Sequence, residues 1–116
     1  MEEKRKYQRY PVYRATEIRS KQARTRLGVT QDMSRCGARV LTRAPLDAGA
    51  EVELRIALAD YDDATECSAK VVRILDLPDK GQLWRREVSL EFFDILPELI
   101  ESQLHEGEEG TTSLNR

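Results

Sequence analysis

Apolar and polar positions alternate along most of this chain, the period-two signature of strands that turn one face to a core. The cleanest stretch is 52–58, where Val52, Leu54, Ile56 and Leu58 stand two apart. Five further runs read as strands. They are 12–20 (Val12, Ala15 or Thr16, and Ile18 inward), 24–31 (Leu27, Val29), 38–41 (Val40, Leu41), 66–75 (Val71, Val72, Ile74) and 83–93 (Val88, Leu90, Phe92). Turn chemistry separates them: Asp32, Ser34 and Gly37 in 32–37, Pro45 and Gly49 around one loop, the acidic Asp60-Tyr61-Asp62-Asp63, and Pro78-Asp79-Lys80-Gly81.

The period lengthens after Asp94. Leu96, Leu99, Ile100 and Leu104 recur at helical spacing, Asp94 is a capping residue, Pro97 is tolerated in a first turn, and Gly107 can stop the helix. The predicted fold is all-β with one C-terminal helix: a small six-stranded antiparallel β-barrel, whose closure removes exposed sheet edges. The expected organisation is an N-terminal arm over 1–10, the barrel with its helix over 11–105, and a disordered tail over 106–116, which is small and polar.

A chain of 116 residues makes one domain. No apolar run approaches the roughly 18 residues of a membrane span, so no membrane insertion is expected. The charged start is unlike a secretory leader, and Cys36 and Cys67 read as reduced thiols, so the expected location is the cytoplasm. The net charge of −2 hides an asymmetry. Residues 1–43 hold twelve Lys/Arg against four Asp/Glu, whereas 44–116 hold seven against seventeen. The first third is therefore a candidate anion-attracting face, although folding can interleave the two parts.

Candidate chemistry concentrates in that third. Arg5 and Arg9 lie four residues apart, and Asp32, Ser34 and Gly37 follow. Guanidinium forks match phosphates and the O6/N7 edge of guanine, and a carboxylate accepts from guanine N1–H and N2–H₂. The combination describes a site for an anionic guanine nucleotide. Singly, each group has a plainer reading: solvated arginines, and an Asp-Ser-Gly turn that caps its own amides. No nucleophile–base pair, phosphate-cradling glycine loop or metal set occurs, so neither an enzyme nor a metal or cofactor is expected.

Arg5-x-x-x-Arg9 followed by Asp32-x-Ser34-x-x-Gly37 resembles the paired signature of the PilZ domain family. The strand spacing, Leu90-Glu91-Phe92 and the final helix extend the likeness over residues 4 to about 105. The resemblance implies a six-stranded barrel that binds cyclic di-GMP and relays it, as a stand-alone adaptor, to an effector protein. On that basis Arg5 and Arg9 match the arginines that grip phosphate and the guanine Hoogsteen edge. Asp32 and Ser34 match the pair that recognise guanine, and Gly37 the glycine that permits close backbone approach. Lys4 stands where many relatives carry a further arginine, and Arg35 lies inside the second motif; both are possible additional contacts. Lysine lacks the flat stacking surface of arginine, which leaves one or two bound ligands open. Ser89 stands where relatives often have glycine, a departure assigned to the core strand rather than to the ligand shell.

The arm over 1–10 is expected to be mobile without ligand and to close over it. Two other readings remain: a PilZ-like module that binds only proteins, and a small barrel for single-stranded nucleic acid, with Tyr7, Tyr10 and Tyr13 among cations. The acidic remainder and a pI near 5.5 weigh against nucleic acid. Oligomeric state is not legible.

Overall fold

The computed structural model describes residues 7–21, 24–58, 64–78, 83–98, 100, 101, 103 and 104. Seven strands follow one another: β1 (Tyr10–Pro11), β2 (Ala15–Ser20), β3 (Arg26–Met33), β4 (Gly37–Thr42), β5 (Glu51–Ile56), β6 (Thr65–Asp76) and β7 (Arg86–Phe92). Every pairing is antiparallel, in the order β1-β3-β2-β5-β6-β7-β4, and a β3–β4 pairing closes β2 to β7 into a six-stranded barrel. The expected barrel is present, with β1 as one strand more.

β1 and β2 both lie along β3, and the chain between them leaves the ladder. Thr30 bridges this gap. Its hydroxyl accepts from the Arg14 amide at 2.9 Å and donates to the Val12 carbonyl, while its own amide donates to the Arg14 carbonyl at 2.9 Å. A buried threonine thus satisfies backbone groups that the interrupted strand would otherwise leave unpaired.

Ile18, Met33, Val40, Leu54, Ile56, Val71 and Val88 fill the barrel, each at most 2% exposed. Each such side chain contributes about 1.5–3 kcal/mol by leaving water. The face of β3 differs from the expectation. Gly28 and Thr30 point inward, Leu27 is exposed and Val29 half-buried. Side-chain direction alternates strictly along a strand, so a one-residue difference in register exchanges the two faces. In β4, likewise, Val40 is buried but Leu41 only half-buried, and in β6 Val71 is buried and Val72 exposed.

The C-terminal helix is not delimited among the described residues. Ile100, Glu101, Gln103 and Leu104 have helical backbone, and Leu96, Ile100 and Leu104 are buried against the barrel. Leu99 and the tail over 106–116 lie outside the described residues. So do residues 1–6 of the arm, whereas its end is docked: Tyr10 is 8% exposed and opposite Met33 in the ladder. Among the described residues no helix is long and apolar enough to cross a membrane.

Candidate functional site

Asp32 is not in a turn. It belongs to β3, and the turn proper is the short Ser34-Arg35-Cys36 link, in which the Ser34 amide donates to the Gly37 carbonyl at 2.9 Å. What aims Asp32 is a bulge. Thr30 faces Val40 and Asp32 faces Arg39, so Gln31 is the extra residue. With regular pairing Asp32 would stand opposite the fully buried Ala38 and point into the barrel. The bulge turns the carboxylate out onto the surface, a common use of this irregularity beside functional sites.

Once there, Asp32 gathers two guanidiniums. Arg39 donates from Nε to Oδ2 at 2.7 Å and also from Nη2 to the same oxygen. Arg9 donates from Nη1 to Oδ1 at 3.3 Å, bridging 23 residues of sequence. The Asp32 side chain is 13% exposed, those of Arg9 and Arg39 48% and 46%. Arg39 also stands 3.9 Å from Glu87. The hydrogen bond to Asp32 raises the Arg39 pKa above its ordinary value, against an opposing effect of burial, and the charges of Asp32 and Glu87 add to the rise. Arg39 is a fixed cation of the site.

These groups line a groove of about 490 Å³ with Tyr10, Pro11, Tyr13 and Gln31. Arg9 also lines a second groove of about 330 Å³, with Cys36, Gly37 and Ser89. A hollow of about 490 Å³ between Ser20, Lys21, Leu46 and Glu51 gathers no guanidinium and offers no comparable anion site.

The remaining sequence candidates divide. Ser34 is 1% exposed. Its hydroxyl accepts from the Cys36 amide at 3.2 Å and lies 3.3 Å from Cys36 Sγ, so it braces the turn. Gly37 is buried where β4 approaches β7: a Cβ there would lie 2.5 Å from the Leu90 carbonyl oxygen. This close approach accounts for the glycine. Arg35 is half-buried. It donates from Nε to the Leu96 carbonyl at 2.8 Å, and its guanidinium lies over the Tyr7 ring, 4.9 Å from the centroid. Lys4 and Arg5 lie outside the described residues. Among the described residues no three His, Cys, Asp or Glu side chains form a metal-holding group, and both cysteines are free.

The sequence motifs do not single out Arg39. The signal that could have found it is positional. Arg39 follows Gly37 by two on a strand facing β3, but its partner depended on a bulge that no composition announces.

No curated protein matches the sequence. Among solved structures, the motility inhibitor MotI/DgrA of Bacillus subtilis superposes with a TM-score of 0.66 at 19% identity, over 96% of this chain and 53% of that one. The PilZ domain of Escherichia coli YcgR, solved with c-di-GMP, gives 0.68 at 15% identity, over 96% and 93%. YcgR of Escherichia coli in complex with c-di-GMP gives 0.63 at 18%, over 96% and 46%. The chain thus spans about half the length of MotI and of the longer YcgR chain. These likenesses carry the barrel. The family model for the PilZ domain matches residues 3–107, a span that includes both polar motifs and every strand, and by that match the chain belongs to the PilZ domain family.

Proposed function

We propose that this protein is a non-enzymatic receptor for cyclic di-GMP that acts in the cytoplasm and passes the ligand state to a protein partner as an adaptor. The observation that carries the reading is the 3.3 Å contact between Arg9 and Asp32, which joins the two halves of the signature on the barrel surface. Family membership and the two YcgR structures with c-di-GMP support the same ligand.

Hydrogen-bond capacity outlines the binding step. A carboxylate offers about four lone-pair sites. Both Arg39 bonds fall on Oδ2, and Arg9 takes one site on Oδ1. One site remains, whereas guanine N1–H and N2–H₂ need two. Ligand entry therefore releases Arg9 from Asp32. Freed, Arg9 turns its fork to a phosphodiester or to guanine O6/N7, and Arg39 keeps the carboxylate aimed. Arg5 joins from the arm, with Lys4 as an additional cation; Gly37 keeps the wall narrow and Ser34 fixes the turn.

The signal leaves through Arg35. This one side chain touches Tyr7 in the arm and Leu96 in the C-terminal segment, next to the exposed Phe93 and Ile95. Movement of the arm on ligand binding alters that junction, and a partner reads the change.

Isothermal titration with cyclic di-GMP tests the reading. Wild-type protein should bind, and R9A and D32A should each lose at least tenfold in affinity. A silent wild type, or two variants that bind like wild type, would refute it.

A further inference from the structure

The barrel carries a second bulge, in β6. Val71 faces Leu90 and Arg73 faces Ser89, so Val72 is the extra residue. Regular pairing would set Val72 opposite Ser89 and turn Arg73 inward with the core positions. Instead both Val72 and Arg73 are exposed. The consequence is a continuous row across four strands: Asp32 faces Arg39, Arg39 faces Ser89, and Ser89 faces Arg73. Three strand spacings make this row about 14 Å long. Ser89, assigned from sequence to the core strand, stands at its centre on the wall of the 330 Å³ groove.

Two grooves therefore flank Arg9, and each holds an arginine and a carboxylate: Arg39 with Asp32 in the larger, Arg73 with Glu91 in the smaller. They differ in one respect. Arg39 is engaged by Asp32, whereas the Arg73 side chain has no hydrogen-bond or ion-pair partner among the described residues. An exposed guanidinium without a partner, beside an exposed valine and a serine hydroxyl, has the chemistry to receive a flat, anionic group.

We propose that the groove of Arg73, Ser89 and Glu91 holds the second guanosine phosphate half of one cyclic dinucleotide, while the Asp32–Arg39 groove holds the first. This rests on the receptor reading above and adds a subsite to it. Arg73 supplies the cation of the second half, Val72 an apolar face for the base, and Glu91 an acceptor for its N–H groups. Arg9, common to both grooves, serves the ring between them. GMP, half the size, needs only the first groove.

The test compares cyclic di-GMP with GMP on wild type, R73A and R19A, the last an exposed arginine on β2, a strand outside the row. R73A should bind cyclic di-GMP at least tenfold more weakly, keep its GMP affinity within twofold, and melt like wild type. R19A should bind both ligands like wild type. Unchanged cyclic di-GMP affinity in R73A overturns the subsite and leaves the receptor reading standing. Equal losses for both ligands, or equal losses in R73A and R19A, also overturn it, because they report bulk charge. A wild type that binds no cyclic di-GMP overturns the receptor reading and the subsite together.

Discussion

Arg39 and Asp32 face one another across β4 and β3, and two nitrogens of the guanidinium converge on a single carboxylate oxygen. The other oxygen points to the arm and meets Arg9. One side chain is thus held by a barrel strand on one side and by the residue just before β1 on the other, the arrangement a ligand can exploit by replacing only the second.

The first expectation concerns Arg39. In R39A the carboxylate loses the donors that orient it, and Arg9 is free to bind it more fully. Affinity for cyclic di-GMP should fall about tenfold, equivalent to about 1.4 kcal/mol. Stability should change by about 1 kcal/mol or less, because Arg39 is about half exposed and Arg9 still pairs the carboxylate. Titration and thermal melting of R39A check both.

Base identity should depend on Asp32. Adenine lacks the N2 group and presents an N6 donor where guanine presents O6, so wild type should prefer cyclic di-GMP over cyclic di-AMP by at least tenfold. D32N exchanges one acceptor oxygen for a donor amide. It should weaken cyclic di-GMP by about 1–3 kcal/mol, the worth of a bidentate base contact, and narrow the preference. Competition titration with both dinucleotides measures this.

Gly37 is a packing requirement. Adding a Cβ that meets the Leu90 carbonyl oxygen at 2.5 Å forces β4 and β7 apart. G37A should lose about 1–3 kcal/mol, as overpacked interiors do, read from denaturant unfolding. Intact stability in G37A would show that the strands can separate there without cost.

Arg35 should govern communication rather than affinity. In R35A the Tyr7 contact and the side-chain hydrogen bond to the Leu96 carbonyl disappear together, while the Leu96 amide still donates to the residue-35 carbonyl at 2.8 Å. Hydrogen exchange at residues 93–96 should respond to cyclic di-GMP in wild type and lose most of that response in R35A. An identical response in both proteins would place the relay elsewhere.

Cys67 supplies a pH dependence. Burial, reinforced by the charge of Glu53, pushes its thiol up to about 12 from an ordinary 9.0. The folded state therefore retains a proton that the unfolded chain releases. The contribution to stability is complete below pH 9.0 and is lost as pH rises toward about 12. Wild type should lose stability relative to C67A across that window. Alkylation of Cys67 at pH 8 should be slow, since the thiolate is the nucleophile.

Much of the fold was legible because barrel strands write a period of two into the chain. Residues 52–58 and 66–75 were located within about two residues of β5 and β6, since their apolar positions had one consistent face. β3 was harder. Gly28 and Thr30 face the core there, and neither advertises burial by its hydrophobicity, while the exposed Leu27 does. The motifs were legible too, and Arg9 and Asp32 do meet.

The sequence by itself determined the alternation that makes a barrel, the basic first third, and the residue types able to hold a guanine nucleotide. Only the tertiary structure decided which of them share a surface. Ser34 turned into its loop and Gly37 into a strand contact, while Arg39 and Arg73, 34 residues apart along the chain, joined Asp32 and Ser89 in one row. The physical reason is the pair of bulges at Gln31 and Val72. Each adds one residue to one strand, each reverses the facing of a charged side chain, and a single-residue shift of register leaves no mark on composition or period.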